Sequence, residues 1–406
     1  MNTGYYAVKK ELNARINEAA PGFIQILTGP RQVGKTTMLL EIADSLAERA
    51  IFLAGDSPDA ALPGWWPQQW QAALRMAARA PGLLIIDEVH GIPDWSYLLK
   101  TAYDEVKRKK LPLNIVISGS SSLQLSDGTR ETMAGRFERL QLRHWTARDM
   151  MQAFDFTADE AVMNVVRYGS FPGSMRLLAQ PARWKAYIRD AIVDPSIGSD
   201  ILMLHQVRRP ALLKQVLAVC LGHPCETVTL LKIAGALTDA GNLATIAEYL
   251  QLLESAYLAT GIQKYSRTEI RRRSNPPKLI TFSNALLALS LIGDSPTQQS
   301  DPSRWGHWLE NACIATAINQ GHNVSYWRDK DLEVDMVVDG PEKKLAIEVK
   351  GGDFTARDLT GLLTFVERNP DFQPLVIGED ACRDGADRIG IPFLRWQDYL
   401  LDGFAV

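Results

Sequence analysis

Runs of mainly apolar residues alternate with longer amphipathic stretches in the first third of the chain. The runs cover residues 23–27, 83–86 and 113–117. Central strands of a parallel sheet are buried on both faces, so they lack the apolar and polar alternation of a half-exposed strand. Helical periodicity begins after Lys35, directly downstream of the first run. This pattern predicts a parallel α/β domain at the start of the chain.

Helical patterns dominate the middle of the chain. Residues 151–215 have helical periodicity, interrupted by the glycines and proline of YGSFPGS, which predict a loop between helices. From Thr227 the pattern is a short helix, a turn at residues 239–242, a second helix and an apolar strand. Helix, turn, helix and strand in this order are the outline of a winged helix. We therefore predict a winged-helix-like region after the helical one.

The last quarter of the chain returns to strands. After a helix, three short strands are predicted around residues 324–327, 333–338 and 345–349. A turn at Gly340 and Pro341 joins the last two of them. An amphipathic helix and one further buried strand then close this second α/β segment.

Composition limits the class of protein. At 406 residues the chain exceeds what one hydrophobic core normally serves, so roughly two to four domains are expected. The net charge of −3 argues against a uniformly basic nucleic-acid-binding surface. No apolar run is long enough to span a membrane, and the polar N-terminal stretch does not resemble a signal peptide, which predicts a cytoplasmic protein. The four widely spread cysteines predict reduced thiols.

A glycine-rich motif follows the first predicted strand. Gly29, four further residues, and then Gly34, Lys35 and Thr36 lie between that strand and a helix. The spacing is that of a P-loop, whose glycines let backbone N–H groups curl around phosphates at a helix N-terminus. We expect Lys35 to hold the β- and γ-phosphates of ATP and Thr36 to ligate Mg²⁺. The candidate nucleotide-binding residues are Gly29, Pro30, Arg31, Gln32, Val33, Gly34, Lys35, Thr36 and Thr37.

Acidic and hydroxyl side chains follow the next two predicted strands. Asp87 and Glu88 stand at the carboxyl end of a strand, where ligands of open α/β sheets bind. We expect Asp87 to contact Mg²⁺ directly or through one of its ligands, and Glu88 to act as the base that orients and polarises the attacking water, unless both are simply solvated acids. Ser118, with Ser120 as second choice, is expected to touch the γ-phosphate or the attacking water and so report nucleotide state, the alternative being an ordinary Ser/Gly turn.

One arginine is a candidate for charge stabilisation in the transition state. Arg136 follows a glycine in MAGRFERLQL. A guanidinium in this position could reach the γ-phosphate of its own or a neighbouring subunit. Arg139 and Arg143 are alternatives for the same role, and a surface salt bridge is the simpler interpretation of all three.

Several motifs together resemble one family. LTGPRQVGKTTML, LLIIDEVHGIPDW, IVISGSSSLQL and MAGRFERLQL are similar to motifs of AAA-fold ATPases of bacteria and archaea that carry a poorly characterised C-terminal domain. RYGSFPGSMRLL, SDILML, TIAEYLQLLESAYL and IEVKGG match the same family in order, so the resemblance covers nearly the whole chain. It implies ATP hydrolysis, a winged-helix-like middle region and a C-terminal fold related to PD-(D/E)XK nucleases.

The resemblance also implies domain boundaries, and the sequence departs from the family at two places. The usual arginine before Asp200 and Ile201 is Ser199, which removes any arginine role there. A Lys-x-Tyr-x-x-Asp stretch reads KLITFSN, a change that we expect to affect only a surface strand end. The implied domains are an AAA-type P-loop core at 1–150, a helical lid at 151–215, a winged-helix-like domain at 216–300 and a nuclease-like domain at 301–406.

Positive charge is concentrated after the second helix of the winged-helix-like region. Such a cluster could contact nucleic-acid phosphates without reading sequence, with an affinity that falls steeply with salt. A solvated hairpin or a protein-docking wing is the alternative. The basic residues are Lys264, Arg267, Arg271, Arg272, Arg273 and Lys278.

Acids and a lysine lie on the strands of the last segment. Asp335 stands on one strand, and Glu348 and Lys350 are two apart on the next, so the side chains of the latter two point the same way. Carboxylates from adjacent strands can hold Mg²⁺ while a lysine positions or deprotonates a water. With Glu310 from the preceding helix, this set resembles a PD-(D/E)XK nuclease site. The alternative is that the acids serve folding and are salt-bridged to basic neighbours.

These observations lead to one main functional hypothesis and two alternatives. We predict an Mg²⁺-dependent AAA-type ATPase that forms homo-oligomers and acts on nucleic acid, DNA being favoured, with nuclease activity as an open question. The first alternative is an ATP-dependent switch or scaffold whose nuclease-like domain binds a partner without cutting. The second is a protein remodeller.

Overall fold

In the computed structural model the protein consists of two compact units, the first unit Asn2–Arg143 and the second unit His144–Val406. The residues that the structure describes are 4–18, 22–119, 133–202, 207–238, 241–267, 275–291, 295–341 and 343–404.

The first unit is a parallel sheet with helices packed against it. Its elements are α1 (Tyr5–Ile16), β1 (Ile24–Thr28), α2 (Lys35–Leu46), β2 (Ala50–Ala54), α3 (Trp65–Ala77), β3 (Gly82–Asp87), α4 (Trp95–Lys109), β4 (Leu113–Gly119) and β5 (Phe137–Gln141). The strand order is β2-β3-β4-β1-β5, and every neighbouring pair is parallel. Strands β1, β3 and β4 are buried almost throughout, which confirms their apolar runs as central strands.

The core of the first unit explains how its strand ends are held in place. Helices α3 and α4 pack on the same side of the sheet, where they share one hydrophobic cluster with Ile26, Ile86 and Ile117. Helix α1 packs against β1 and β5, and α2 packs against β2 and β3. The carboxyl ends of β1, β3 and β4 therefore form one rigid edge of the sheet.

The second unit combines a helical region, a two-stranded pair and a mixed sheet. The sheet order is β12-β11-β10-β9-β8, antiparallel from β8 to β10 and parallel from β10 to β12. Its elements are α5 (Ala147–Phe154), α6 (Ala158–Tyr168), α7 (Pro181–Tyr187), α8 (Pro210–Gly222), α9 (Leu230–Gly235), α10 (Leu243–Ser255), β6 (Ala259–Ile262), β7 (Lys278–Thr281), α11 (Asn284–Leu287), α12 (Pro302–Asn319), β8 (Val324–Asp329), β9 (Leu332–Asp339), β10 (Lys344–Lys350), α13 (Thr360–Arg368), β11 (Gln373–Gly378), α14 (Arg383–Ile389), β12 (Phe393–Arg395) and α15 (Trp396–Asp402).

Strands β6 and β7 form an antiparallel pair that follows α9 and α10. The order of α9, α10 and β6 is the one predicted from the sequence, and the winged-helix assignment itself stays a prediction. All four residues of β7 are buried. The expectation that KLITFSN alters only a surface strand end is therefore wrong, because this stretch lies inside the second unit.

The connecting segment, residues 263–267, lies along the edge strand β8. Tyr265 N–H donates to the Tyr326 carbonyl at 2.6 Å, and Tyr326 N–H donates to the Gln263 carbonyl at 3.2 Å. The Tyr265 ring packs edge-to-face on Phe365 and Phe372, with ring centroids 5.4 and 5.2 Å away. The segment after β6 is thus part of the core beneath the mixed sheet.

His144 is fully buried among aromatic rings of the second unit. Its ring lies 4.8 Å from that of Phe171, edge to face, and 6.5 Å from that of Phe282, stacked. Burial lowers the pKa of His144 from 6.5 to about 4 because a charged imidazolium would lose its hydration there.

We expect His144 to make the protein sensitive to acid. Its folded-state pKa lies below its unfolded value, so its contribution to the free energy of unfolding is present above pH 6.5 and is lost as the pH falls toward 4. The loss is on the order of 3 kcal/mol. Urea unfolding at pH 7 and pH 4.5 should show a smaller difference for His144→Leu than for the wild type. His307→Leu, at an exposed histidine, is the control and should behave as the wild type.

Candidate functional site

The glycine-rich loop between β1 and α2 has the backbone that a P-loop requires. Gly34 has a φ of 90°, in the left-handed region that glycine adopts without strain. A Cβ atom on Gly29 would lie 1.8 Å from the Leu142 carbonyl oxygen, so no larger residue fits at that position. The Leu142 N–H in turn donates to the Thr28 carbonyl at 2.8 Å. The start of the loop is therefore fixed against the chain that leaves β5.

Lys35 is folded back over this loop. Its Nζ donates to the Gly29 carbonyl at 3.0 Å and to the Pro30 carbonyl at 2.7 Å, and the residue is buried. Thr36 and Thr37, by contrast, begin α2 with exposed positions. The ammonium and the first turn of the helix thus lie together at the carboxyl edge of the sheet.

Asp87 joins the loop to the neighbouring strands. Thr36 Oγ1 donates to Asp87 Oδ2 at 2.6 Å. Ser118 Oγ donates to the other carboxylate oxygen, Oδ1, and accepts a hydrogen bond from Glu88 N–H at 3.2 Å. Asp87 is 5% exposed. Residues from the ends of β3 and β4 and from the start of α2, which are far apart in the sequence, are therefore joined by hydrogen bonds.

Glu88 is held in a left-handed conformation directly after β3. Its φ of 46° is uncommon for a residue with a side chain, and such outliers cluster at functional sites. Its Oε2 lies 3.3 Å from His90 Nδ1. The sequence prediction did not include His90, although its position two residues after Glu88 in DEVH was the available signal.

Arg136 lies at the other edge of the sheet from the P-loop of its own chain. Its carbonyl accepts from Ile24 N–H at 2.9 Å, at the start of β1 and β5, whereas the P-loop follows their ends. Five residues of strand separate the two levels, roughly 16 Å. The guanidinium donates to both carboxylate oxygens of Asp104, at 2.9 and 3.3 Å. The structure thus does not bring Arg136 to its own nucleotide site.

The other candidates around this site have different positions. Arg139 lies within β5, with its guanidinium 5.4 Å from the Phe137 ring centroid. Arg143 follows β5 on the P-loop side, and its Nε donates to Gln141 Oε1 at 2.8 Å. Ser120 lies outside the residues that the structure describes.

The donors at this edge fit a nucleoside triphosphate and Mg²⁺. Backbone N–H groups at the start of a helix and the Lys35 ammonium suit phosphate oxygens. The Thr36 hydroxyl and the Asp87 carboxylate, already bonded to each other, are the oxygen ligands that Mg²⁺ prefers. These residues therefore form a candidate nucleotide site whose position agrees with the sequence prediction.

A second cluster of charged groups lies in the second unit, around a buried lysine. Lys278 of β7 is 1% exposed. Its Nζ forms an ion pair with Glu310 of α12 and lies 3.2 Å from Glu333 Oε1 and 3.4 Å from Asp335 Oδ1. Burial disfavours its charge, but the surrounding carboxylates outweigh burial and raise the pKa of Lys278 well above its usual value. The lysine is therefore charged.

The predicted nuclease residues do meet in this cluster. Lys350 Nζ contacts Glu348 Oε1 at 2.8 Å, and Asp335 Oδ2 accepts from Val349 N–H at 2.9 Å. Burial, and after it the Asp335 charge, raises the pKa of Glu310 and of Glu348 to about 8.

One expectation about this cluster needs correction, and another stays open. Lys278 does not belong to an exposed basic wing, because it is buried and surrounded by acids. Sequence reasoning also missed Glu333, its third partner. Across the described ranges, no group of three or more His, Cys, Asp or Glu side chains is arranged to hold a metal ion. An Mg²⁺ role for Asp335 and Glu348 stays a prediction.

The described part of the basic wing is small. Arg267 is largely exposed, and its guanidinium lies 3.5 Å from Asp371 Oδ1. Lys264 forms an isolated parallel β-bridge with Tyr326 of the edge strand β8 through its backbone. Arg271, Arg272 and Arg273 lie outside the described residues.

Family models match three successive segments of the chain. Residues 22–151 match the family model of an AAA domain. Residues 159–298 and 305–391 match two models described as domains of unknown function, DUF8612 and DUF4143. The first unit is therefore an AAA-type P-loop domain.

Relatives and solved structures extend the comparison. The chain is 27% identical over 354 residues to an uncharacterized protein of Mycobacterium tuberculosis, covering 84% of this chain and 74% of the relative. It is 22% identical to an uncharacterized protein of Haemophilus influenzae, covering 80% and 82%. Similar solved structures include the Thermotoga maritima RuvB Holliday junction branch migration motor (19% identity, TM-score 0.34, 67% and 94% covered) and AMPPCP-bound DnaA from Aquifex aeolicus (13%, TM-score 0.34, 63% and 89%).

None of the helices in the described part of the chain combines the length and the apolar character needed to cross a bilayer.

Proposed function

We propose that this chain hydrolyses ATP at the carboxyl edge of the parallel sheet. The observation that carries the proposal is the hydrogen-bonded chain from Thr36 through Asp87 to Ser118, beside the buried Lys35. These hydrogen bonds join a P-loop, an acid at the end of one strand and a polar residue at the end of the next. Phosphoryl transfer to water requires these parts.

Each group of the site has a distinct role. Lys35 exchanges its two backbone carbonyl partners for phosphate oxygens, and the N–H groups of the loop surround the same phosphates. Bound Mg²⁺ would neutralise charge on the phosphate oxygens. Asp87 and Thr36 hold the position for that ion, and Ser118 orients Asp87. Glu88, next to His90, polarises the attacking water.

Arg136 completes the site of a neighbouring subunit in a homo-oligomer. It cannot serve its own P-loop, because it lies at the opposite edge of the sheet. Asp104 holds the guanidinium by two hydrogen bonds, and the arginine side chain is partly exposed at the surface of the first unit. Arginine supplied in this way stabilises charge that develops in the transition state.

The second unit binds nucleic acid in this proposal. The support is the basic stretch from Lys264 to Arg273, on a chain whose net charge is −3. The described members, Lys264 and Arg267, lie in or beside the segment that packs on the mixed sheet. Basic side chains in a short stretch bind phosphates with little sequence preference.

A second candidate function is a switch whose last segment binds a partner without cutting it. The specific observation in its favour is Lys278, whose ammonium lies among the acids that a nuclease would use for metal. In this alternative ATP hydrolysis controls binding, and the acid cluster is structural.

Nucleic acid should stimulate ATP hydrolysis if the main proposal is right. We expect faster turnover with DNA than without it, because substrate contact through the basic stretch would favour the active state. If three phosphates are neutralised on duplex DNA, raising the salt from about 50 to about 200 mM lowers affinity about 40-fold. The measurement is steady-state hydrolysis with single-stranded DNA, double-stranded DNA or RNA at both salt concentrations.

Matched variants separate this stimulation from general damage. Replacing Arg271, Arg272 and Arg273 with alanine should remove the stimulation and leave basal hydrolysis unchanged. Arg304→Ala, at an exposed arginine on α12, should change neither. Indifference of the wild type to every nucleic acid at both salts would favour the switch.

A further inference from the structure

Four acidic side chains of the second unit share one small region with a buried lysine. Glu310 comes from α12, Glu333 from β9, and Glu348 from β10. Asp335, also on β9, stands opposite Glu348 in the next step of the antiparallel ladder that pairs Met336 with Ile347. Lys278 Nζ reaches three of the four acids.

The backbone of Lys278 fixes the position of its ammonium. Lys278 pairs with Ile262 in the β6–β7 ladder and forms a further antiparallel bridge with Thr227. The strand is therefore paired on two sides, and the side chain is enclosed along its length. Lys278 is therefore a fixed member of the cluster, unlike a mobile lysine at the surface.

One carboxylate oxygen in the region has no partner. Glu348 is 7% exposed, and its Oε2 is buried without a hydrogen bond, whereas Oε1 receives Lys350 Nζ at 2.8 Å. A buried polar atom of this kind is costly unless a proton or a cation serves it. Oxygens of acids from two strands and a helix are also the ligand type that Mn²⁺ and Mg²⁺ bind.

We propose that Lys278 is a tethered internal cation that takes the place of a divalent metal among Glu310, Glu333 and Asp335. With the ammonium present, the acids are neutralised from within the chain and no metal site is formed by the described residues. Without it, the same acids and the free oxygen of Glu348 become a site for one divalent ion. The inference deepens the second candidate function, since it explains why the domain would bind without cutting, and it does not depend on ATP hydrolysis.

The test is metal binding by the full-length chain without nucleotide. We expect Lys278→Met to gain one Mn²⁺ per chain in calorimetric titration, with an affinity at least tenfold above any Mn²⁺ binding of the wild type. Adding Asp335→Asn to this variant should remove the gain. Lys344→Met is the matched control, because Lys344 also contacts two acids, Asp339 and Asp371, but at the surface, so no metal should be gained.

Stability gives a second measurement in case Lys278→Met folds poorly. Leaving three acids without their cation should lower Tm by roughly 10 °C, and Mn²⁺ should restore at least half of that shift in Lys278→Met but not in Lys344→Met. The double variant Lys278→Met/Glu310→Gln removes one acid together with the lysine and should fold better while still gaining Mn²⁺.

Two results would overturn the proposal, and neither involves the ATPase rate. One is a wild-type protein that already binds Mn²⁺ at a site removed by Asp335→Asn. The other is the absence of Mn²⁺ binding and of any Mn²⁺-dependent rise in Tm in both lysine variants. A wild-type protein that does not hydrolyse ATP would instead contradict the proposed function and leave this inference intact.

Discussion

Glu88→Gln is expected to lower ATP turnover by about 10²- to 10⁴-fold while nucleotide binding is retained. Glutamine has nearly the same shape and can keep its place beside His90, but it has no carboxylate to polarise a water. The P-loop, Thr36 and Asp87 are untouched by the change. Steady-state hydrolysis and calorimetric titration with ATP on the same preparation measure the two quantities separately.

Asp94→Asn is the matched control for this prediction. Asp94 is another acid in the left-handed region, with a φ of 53°, in the same connection from β3 to α4, and it is exposed. The amide there should leave both turnover and binding at wild-type values. Turnover by Glu88→Gln at the wild-type rate would show that the base is a different residue.

Arg136→Ala is expected to lower turnover by about 10³-fold or more while ATP still binds. In the proposed homo-oligomer the guanidinium acts across a subunit interface, because strand β5 places it at the far edge of its own sheet. A mixture of Glu88→Gln and Arg136→Ala proteins should therefore regain activity. In mixed oligomers some interfaces pair an intact Glu88 with an intact Arg136 from the neighbour.

Two further variants test where the arginine acts. Arg108→Ala, at an exposed position near the end of α4, should hydrolyse ATP at the wild-type rate. Asp104→Asn should reduce turnover less than Arg136→Ala, because it loosens the guanidinium without removing it. Full activity of Arg136→Ala alone, or a mixture as inactive as its components, would rule out the role in trans.

The arrangement of the candidate nucleotide site was predictable from the sequence because its parts are local or follow from sheet topology. The P-loop is one contiguous motif, and its glycines report backbone geometry directly. The contact between Asp87 and Ser118 follows from the rule that neighbouring parallel strands end at the same edge. The position of Arg136 was also predictable from the direction of β5. Arg136 precedes this parallel strand, so it lies at the opposite edge of the sheet from residues that follow the strands.

The acid cluster could be predicted only in part. Asp335, Glu348 and Lys350 lie on the two strands of one hairpin, so their approach follows from strand pairing and period-two geometry. Lys278 lies more than fifty residues before Asp335 in the sequence, and the position of its side chain depends on long-range packing. Its position among basic residues suggested a charged surface. The usable signal was a lysine that begins a strand of otherwise uncharged residues, KLIT, and the structure buries all four of them.

The placement of Tyr265 and Lys278 has a consequence for how this chain can be divided. The two family matches meet between residues 298 and 305, yet both side chains, from the earlier match, fill space beneath the later sheet. A fragment that starts at residue 305 would leave the edge of β8 uncovered and ready to pair with other molecules. We therefore expect such a fragment to aggregate. The two matched segments should fold only together, as one cooperative unit.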